Sequence, residues 1–379
     1  MRTRACDLLG MEFPIFAFSH CRDVVAAVSK AGGFGVLGAV AYSPEHLDIA
    51  LSWIDEHVGD RPYGADVIVP AKYVGEDTGG LTTTEAVEMI PAEHRRFVDQ
   101  ILEKYHVPEL PDQGTRSGER RMPFSQESTK ELLEVVWRHP KVKFIANALG
   151  PAPEYLVEEA HARGLVVGGL VGKVEHAKRQ QQAGVDLIIA QGYEAGGHTG
   201  DISTMVLVPQ VVDAVAPVPV LAAGGIADGR QVAAALALGA EGVWCGSVWL
   251  TTDEAETHPV VKEKFLQATS SDTLRSRAKT GKPARQLRSA WTDEWEDPDN
   301  PRPLPMPLQG ALVAEAELRI ARSAASNEGA RDLINYFVGQ AVGQMNKPKP
   351  AAQVVLEMVD DYIDAATRLG SSVDPTSSV

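Results

Sequence analysis

Glu194 and His198 stand four residues apart in the stretch A-Q-G-Y-E-A-G-G-H-T-G, Ala190–Gly200. An acid and an imidazole so spaced are the side chains general acid–base chemistry uses. Four glycines surround them, and glycine lets a backbone take φ > 0 and approach a ligand closely. The stretch is too glycine-rich for helix or strand, and it follows an apolar run, Val185–Ile189, that reads as a buried strand. Loops held by a rigid scaffold are where functional residues concentrate. The plainer alternative is that both side chains merely cap and solvate a turn.

Two further glycine stretches offer anion chemistry. They are Ala223-Gly224-Gly225-Ile226-Ala227-Asp228-Gly229 and Cys245-Gly246-Ser247. Each presents bare backbone N–H groups at a turn into a following helix or turn, where a helix dipole favours a phosphate. Either alone could simply turn the chain; together they favour a phosphate-bearing cofactor. A pyridoxal enzyme would need a lysine at a strand end, and Lys143 and Lys173 lie near such positions without a distinctive context. His198 with Asp201, and His20 with Cys21, fall short of a ligand set, so no metal is expected. His57, His94, His139, His161 and His176 fall on helices or helix ends and read as solvated surface.

The elements that must position these groups alternate. Strands are expected at Phe13–Phe18, Phe34–Leu37, Tyr63–Val69, Val142–Ala146, Gly164–Gly168, Val185–Ile189, Val218–Ala222 and Gly242–Cys245, most with a helical stretch after them. Eight short apolar strands alternating with helices read as parallel βα units. They favour an α/β fold of the closed (β/α)8 TIM-barrel type over an open doubly wound sheet. Active sites of such barrels lie at the C-terminal strand ends, with phosphates after strands seven and eight. The two glycine turns occupy those places.

The expected barrel covers residues 1–270 and is interrupted after the third strand by an insertion at about 71–124, a lid, a dimer arm or both. Residues 271–370 read as a C-terminal helical extension packing on the barrel, with Arg275–Arg288 basic and Trp291–Pro307 too acidic and proline-rich for long regular structure. Residues 371–379 read as a disordered tail.

The chain has 379 residues and a net charge of −15. That charge disfavours nucleic acid or an anionic membrane as partner. Three cysteines without a C-x-x-C pair suit a reducing compartment. No leader-like or membrane-spanning run stands out, so a cytoplasmic protein is expected.

The stretches A-Q-G-Y-E-A-G-G-H-T-G, A-A-G-G-I-A-D-G-R and G-S-V-W-L-T-T together resemble the nitronate monooxygenase (2-nitropropane dioxygenase) family of FMN-dependent barrels. G-G-F-G-V-L-G-A at Gly32–Ala39, T-G-K-P-A-R-Q-L-R at Thr280–Arg288 and the late Gly339-Gln340 also match. The resemblance implies that Gly224, Gly225, Gly246 and Ser247 hold the FMN phosphate and that Gln191, Gly196, Gly197 and Gln340 line the flavin site. It implies that His198 is the catalytic residue, taking a proton α to a nitro group with an imidazole that titrates near neutrality. Flavin and O2 would then complete the oxidation of a nitronate or nitroalkane. Two places depart from the pattern. Where members carry a Q-A-P-M-like run on the flavin, this chain has Phe16-Ala17-Phe18-Ser19-His20, so Ala17 and Phe18 take that place. Asp66 stands where many carry asparagine, which would set a carboxylate beside the ring. The same E-A-G-G-H loop marks related FMN-dependent enoyl-acyl-carrier-protein reductases, which use NAD(P)H. A flavin-binding protein with lost catalysis is the third alternative, and a homo-oligomer is compatible with each.

Overall fold

The computed structural model describes residues 1–69, 74, 80–110 and 125–373. Eight parallel strands close into a barrel. In chain order they are β1 (Ile15–Ser19), β2 (Phe34–Gly38), β3 (Tyr63–Ile68), β4 (Val142–Ala148), β5 (Val166–Val171) and β6 (Leu187–Gln191). After a two-residue strand β7 (Gly197–His198), which lies outside the barrel, come β8 (Val220–Ala223) and β9 (Gly242–Cys245). β9 pairs back onto β1 through Ala17↔Cys245 and closes the ring. The (β/α)8 expectation holds.

Strand alternation sorts the side chains into two cores. Phe16, Phe34, Phe144 and Trp244 point inward and pack together, with Phe16 and Phe34 ring centroids 5.3 Å apart. Beneath them Ala5, Cys6, Leu9 and Met11, on and beside the helix Arg4–Leu9, close the barrel floor. Ala17, Ala65, Val67 and Ile145 point outward into the larger core under the helices.

Four strands, β1, β5, β6 and β8, begin two residues later than expected. Gly164 and Gly184 have φ of +70° and +85° and turn the chain out of the preceding helices. β5 and β6 therefore start beyond those turns, and Gln191 becomes the last residue of a strand instead of a loop residue.

The chain beyond residue 258 divides differently from the expected extension. The helix Pro259–Gln267 already belongs to a separate core, through Val260, Val261 and Phe265. That core also takes Trp291 and Trp295 from the helix Ala290–Glu296 and Ile320 from Leu308–Ser323. Phe97, from the insertion helix Ala92–Lys104, meets Trp295 edge-on at 4.9 Å. Insertion and extension thus form one cap. Of the insertion expected as a lid, a dimer arm or both, residues 71–73, 75–79 and 111–124 lie outside the described residues.

The final helix returns to the barrel. Ala351, Val354, Val355 and Met358 join the core beneath the barrel helices. A Cβ at Gly229 would lie 2.1 Å from the Met358 carbonyl oxygen, so the last helix and Gly229–Ala237 cross in direct backbone contact. It also packs on Arg22–Lys30, the helix after β1, and so fills the eighth helical place of the barrel. It runs Ala351–Val373, so the expected tail from 371 begins at least three residues later. Residues 374–379 lie outside the described residues.

Burial corrects two histidines expected on the surface. His94 and His139 are buried. His94 Nε2 bonds the Arg302 carbonyl, and His139 sits between Asp55 (2.7 Å) and Asp48 (3.3 Å). Helix periodicity cannot show which neighbouring element covers a helix end.

Candidate active site

A cavity of about 620 Å³ opens at the C-terminal ends of the barrel strands, within the range of small-molecule and cofactor sites. Phe18, Asp66, Gln191, Gly196, Gly197, His198, Gly224, Gly225, Gly246 and Ser247 all line it. Residues spread over 230 positions of sequence are brought to one wall-to-wall space by barrel closure. Two expected members are not there. Ala17 is fully buried and faces the helices, because it is one residue out of phase with Phe16 and Phe18. Gln340 does not line the cavity either; its backbone N–H donates to the Glu194 carbonyl at 2.9 Å and docks the cap on the strand-six loop. Its neighbour Ala341 lines the space instead.

The turns after β8 and β9 form a glycine cradle. Gly224 and Gly225 have φ of +108° and +74°, conformations side chains other than glycine rarely adopt. A Cβ at Gly224 would also lie 2.9 Å from Thr204 Oγ1 and 3.1 Å from the Ala195 nitrogen. At Gly246 the position of a Cβ meets only the edge of Phe18, at 3.8 Å. Bare N–H groups, positive φ and open space on the cavity side suit a phosphate.

Glu194 has a structural part. Its Oε2 accepts from Thr204 N and Thr204 Oγ1, both at 2.9 Å, capping the start of the helix Thr204–Val215. For Glu194 the plainer reading was right. His198 is different. It sits in β7, whose backbone pairs antiparallel with β11 (Ala284–Leu287), itself paired with β10 (Thr273–Ser276). The cap therefore holds the imidazole over the barrel mouth. Thr280, between β10 and β11, meets His198 Nε2 at 2.8 Å. Burial first, and the Lys282 ammonium second, push the His198 imidazole down to about 4. Titration near neutrality, expected from the residue type, is thereby corrected. The ring is neutral across the physiological range.

The opposite wall carries Asp66 and His20. In the closed order β6 lies four strands from β2 in either direction, so the strand-six loop faces β2 across the mouth. His20 Nδ1 meets the Gly38 carbonyl at 3.2 Å. Its ring lies where a Cβ at Gly38 would be 2.6 Å away, so β2 must end in glycine there. Asp66, opposite Gly38 on β3, is buried, and burial holds its carboxyl well above the usual carboxylate range. Cys245 borders the cavity, but its side chain shares the outer core with Ala17, and burial pushes its thiol up to about 12, which makes it no nucleophile. Lys143 is exposed and off the cavity, and Lys173 sits exposed on its rim. Among the described residues, Cys21, Asp23 and Glu256 bring ligand-type atoms within 4.8 Å of one another, but none of them lines the cavity.

Sequence reasoning passed over Thr280, Lys282, Trp244 and Phe337, all of which line the cavity. T-G-K-P-A-R-Q-L-R was visible as a motif, yet nothing local tells that a segment 82 residues after His198 returns to it.

The model of the family described as nitronate monooxygenase matches residues 2–361. A Mycobacterium tuberculosis protein, Rv1533, whose name marks it as a conjectured monooxygenase, is 60% identical over 370 residues, covering 97% of this chain and 98% of that one. A "Probable nitronate monooxygenase" of Staphylococcus saprophyticus is 31% identical over 358 residues, with 90% and 92% of the two chains covered. Among solved structures, nitroalkane oxidase from Streptomyces ansochromogenes superposes with a TM-score of 0.78 at 27% identity, covering 96% and 99%. FabK from Thermotoga maritima superposes with a TM-score of 0.73 at 29% identity, covering 98% and 99%.

Proposed function

This chain belongs to the nitronate monooxygenase family of oxidoreductases, and from that premise we propose that its barrel binds FMN and oxidises a nitronate or nitroalkane with O2. His198 acts as the base. The observation that carries this reading is one cavity uniting a phosphate-type glycine cradle with a neutral imidazole on the neighbouring strand-six loop. Gly224, Gly225, Gly246 and Ser247 would hold the phosphate, and Phe18, Gln191, Gly196 and Gly197 would line the ring system. When bound, the flavin supplies the two-electron chemistry. Asp66 fits this cofactor better than its residue type suggested. Burial favours its uncharged form, so it brings a hydrogen-bond donor in place of a carboxylate charge beside the ring.

The rest of the work falls to the chain's own side chains. Thr280 engages His198 Nε2, which leaves Nδ1 for proton transfer. In the tautomer this requires, Nε2–H donates to Thr280 Oγ1. The threonine hydroxyl then donates to the Lys282 carbonyl, 3.3 Å away. The cap's backbone, paired to β7 at Ala284↔His198, fixes the ring's approach.

Because the base must be uncharged to accept a proton, kcat/KM should be flat through the neutral range. It should fall only as pH drops through about 4. A pH–rate profile with its acid limb near the unperturbed histidine value of about 6.5 would remove the burial argument.

FabK among the structural neighbours favours a second reading, an NAD(P)H-using flavin reductase. The two separate in one experiment on purified protein. A flavin absorption spectrum, FMN on denaturation, and O2 uptake with a nitronate support the monooxygenase. Rapid anaerobic bleaching by NADH supports the reductase, and a colourless protein that takes up no FMN would overturn both. The described helices include none long and apolar enough to cross a membrane.

A further inference from the structure

The cavity is electropositive in a protein of net charge −15. Its lining includes Lys173, Arg179 and Lys282, while the one acid among its lining residues is Asp66, the buried carboxyl whose uncharged form is favoured. Lys173 and Arg179 are exposed at the rim. Lys282 lies deeper, half-buried, on the turn between β10 and β11 and two residues from the Thr280 hydroxyl that meets His198.

Lys282 is also unlike its peers. The other half-buried lysines among the described residues, Lys141, Lys262, Lys264, Lys279 and Lys349, each donate to a carbonyl or carboxylate oxygen. Lys282 Nζ has no such partner there, and burial alone pulls its ammonium below the usual lysine range. A cation removed from water without a counter-charge is costly unless a ligand supplies one. The turn that carries it is fixed. Gly281 has φ of +82°, and a Cβ there would lie 2.2 Å from the Leu304 carbonyl oxygen, so the segment cannot swing out without unpacking the cap.

We propose that Lys282 receives the negatively charged oxygen atoms of the substrate beside His198 and so selects planar oxyanions such as nitronates. This rests on the monooxygenase reading for the substrate's name, but the anion site stands on Lys282 itself. Removing a proton α to a nitro group moves charge onto the nitro oxygens. An ammonium carried on a fixed turn, near enough to act on the base's charge, meets the charge on those oxygens where it develops. The same cation lowers the proton affinity of His198, so the two groups do opposite jobs from one wall: one takes the proton, the other holds the anion.

The test uses flavin-loaded protein and nitrate, a planar trigonal oxyanion, titrated by the perturbation of the bound flavin's absorbance. Lys282→Met should keep its flavin and weaken nitrate by about 10- to 100-fold, the range of a charged hydrogen bond. Lys282→Arg should restore most of it. Neutral nitrobenzene, which has no α-proton to lose, should bind both variants like the parent, and the acid limb of kcat/KM should move to higher pH in Lys282→Met. Nitrate binding indifferent to Lys282→Met would overturn the proposal, as would a parent protein that binds no nitrate. So would loss of FMN from Lys282→Met, which would place the ammonium on the cofactor phosphate. Should the parent fail to oxidise nitronates yet bind nitrate through Lys282, the monooxygenase reading falls and the anion site stands. Should turnover be normal and nitrate ignore Lys282, only the anion site falls.

Discussion

Replacing His198 by Ala or Asn leaves a folded, yellow, FMN-loaded protein whose kcat/KM falls by roughly 10²- to 10⁴-fold, the contribution of a positioned general base. The loss is chemical and not structural. β7 is held to β11 by backbone pairing at Ala284↔His198 and Arg285↔Gly197, which any side chain at 198 preserves. His198 lies on the cavity wall, and no neighbouring core cluster includes it. Its one side-chain hydrogen bond, to Thr280 Oγ1, leaves behind a hydroxyl that still has the Lys282 carbonyl as acceptor. Circular dichroism and flavin stoichiometry should therefore match the parent while O2 uptake collapses. Asn is the stricter variant, since its amide can still reach Thr280 without offering a base. Near-normal turnover in either would take proton transfer away from His198 and reopen the cavity to His20 and His176, the other imidazoles among its lining residues.

Gly224→Ala should strip the cofactor while leaving the barrel closed. At φ of +108° an L side chain is strained by about 1–3 kcal/mol. The added Cβ also meets Thr204 Oγ1 at 2.9 Å and the Ala195 nitrogen at 3.1 Å. Neither neighbour can easily give way. Thr204 Oγ1 lies 3.0 Å from the Gly224 carbonyl and is tied to Glu194, and Ala195 N donates to the Gly192 carbonyl at 3.1 Å. The strain is thus passed into the cradle after β8 and the strand-six loop together. FMN affinity should fall about 10- to 100-fold at that cost. The variant would purify substoichiometric in flavin, and added FMN would restore it in a saturable titration. Gly164→Ala is the control, because it carries positive-φ strain of the same kind (φ of +70°) with nothing within 4 Å of its Cβ and lies off the cavity. Full flavin occupancy in Gly224→Ala would show that the cradle does not bind the phosphate.

The sequence carried the site's glycines plainly and its geometry hardly at all. Gly196 shows why. It was legible as a glycine in a functional loop, but its need is set by the cap. A Cβ there would lie 2.8 Å from the Gly339 nitrogen, 143 residues away. Asp66 was legible as an odd residue at a strand end, and its residue type pointed to a charge beside the cofactor. Burial on all sides favours its uncharged form instead. His198 was legible as an imidazole in a glycine-rich loop, but its proton affinity was not, since the desolvation and the Lys282 charge that lower it depend on the cap. Ala17 failed through phase alone. One step along β1 moves a side chain from the cavity side to the helix side, and an all-apolar run such as Phe13–Phe18 gives no polar alternation to read that step from.

The stretch around His198 marks the division. Apolar runs and glycine punctuation specify parallel βα units and their number, because strand burial and positive φ are properties of a few adjacent residues. The positions of the His198 imidazole and of the glycine turns after β8 and β9 follow from the same local code. What surrounds that imidazole does not. The threonine at its Nε2, the unpaired ammonium of Lys282 and the helix that closes the barrel all come from beyond residue 258. They reach the site only because the barrel leaves its eighth helical place open until Ala351 and lets the intervening cap fold back over the mouth. Proton affinity and anion preference are properties of that enclosure, since both depend on which charges and how little water lie within a few ångströms.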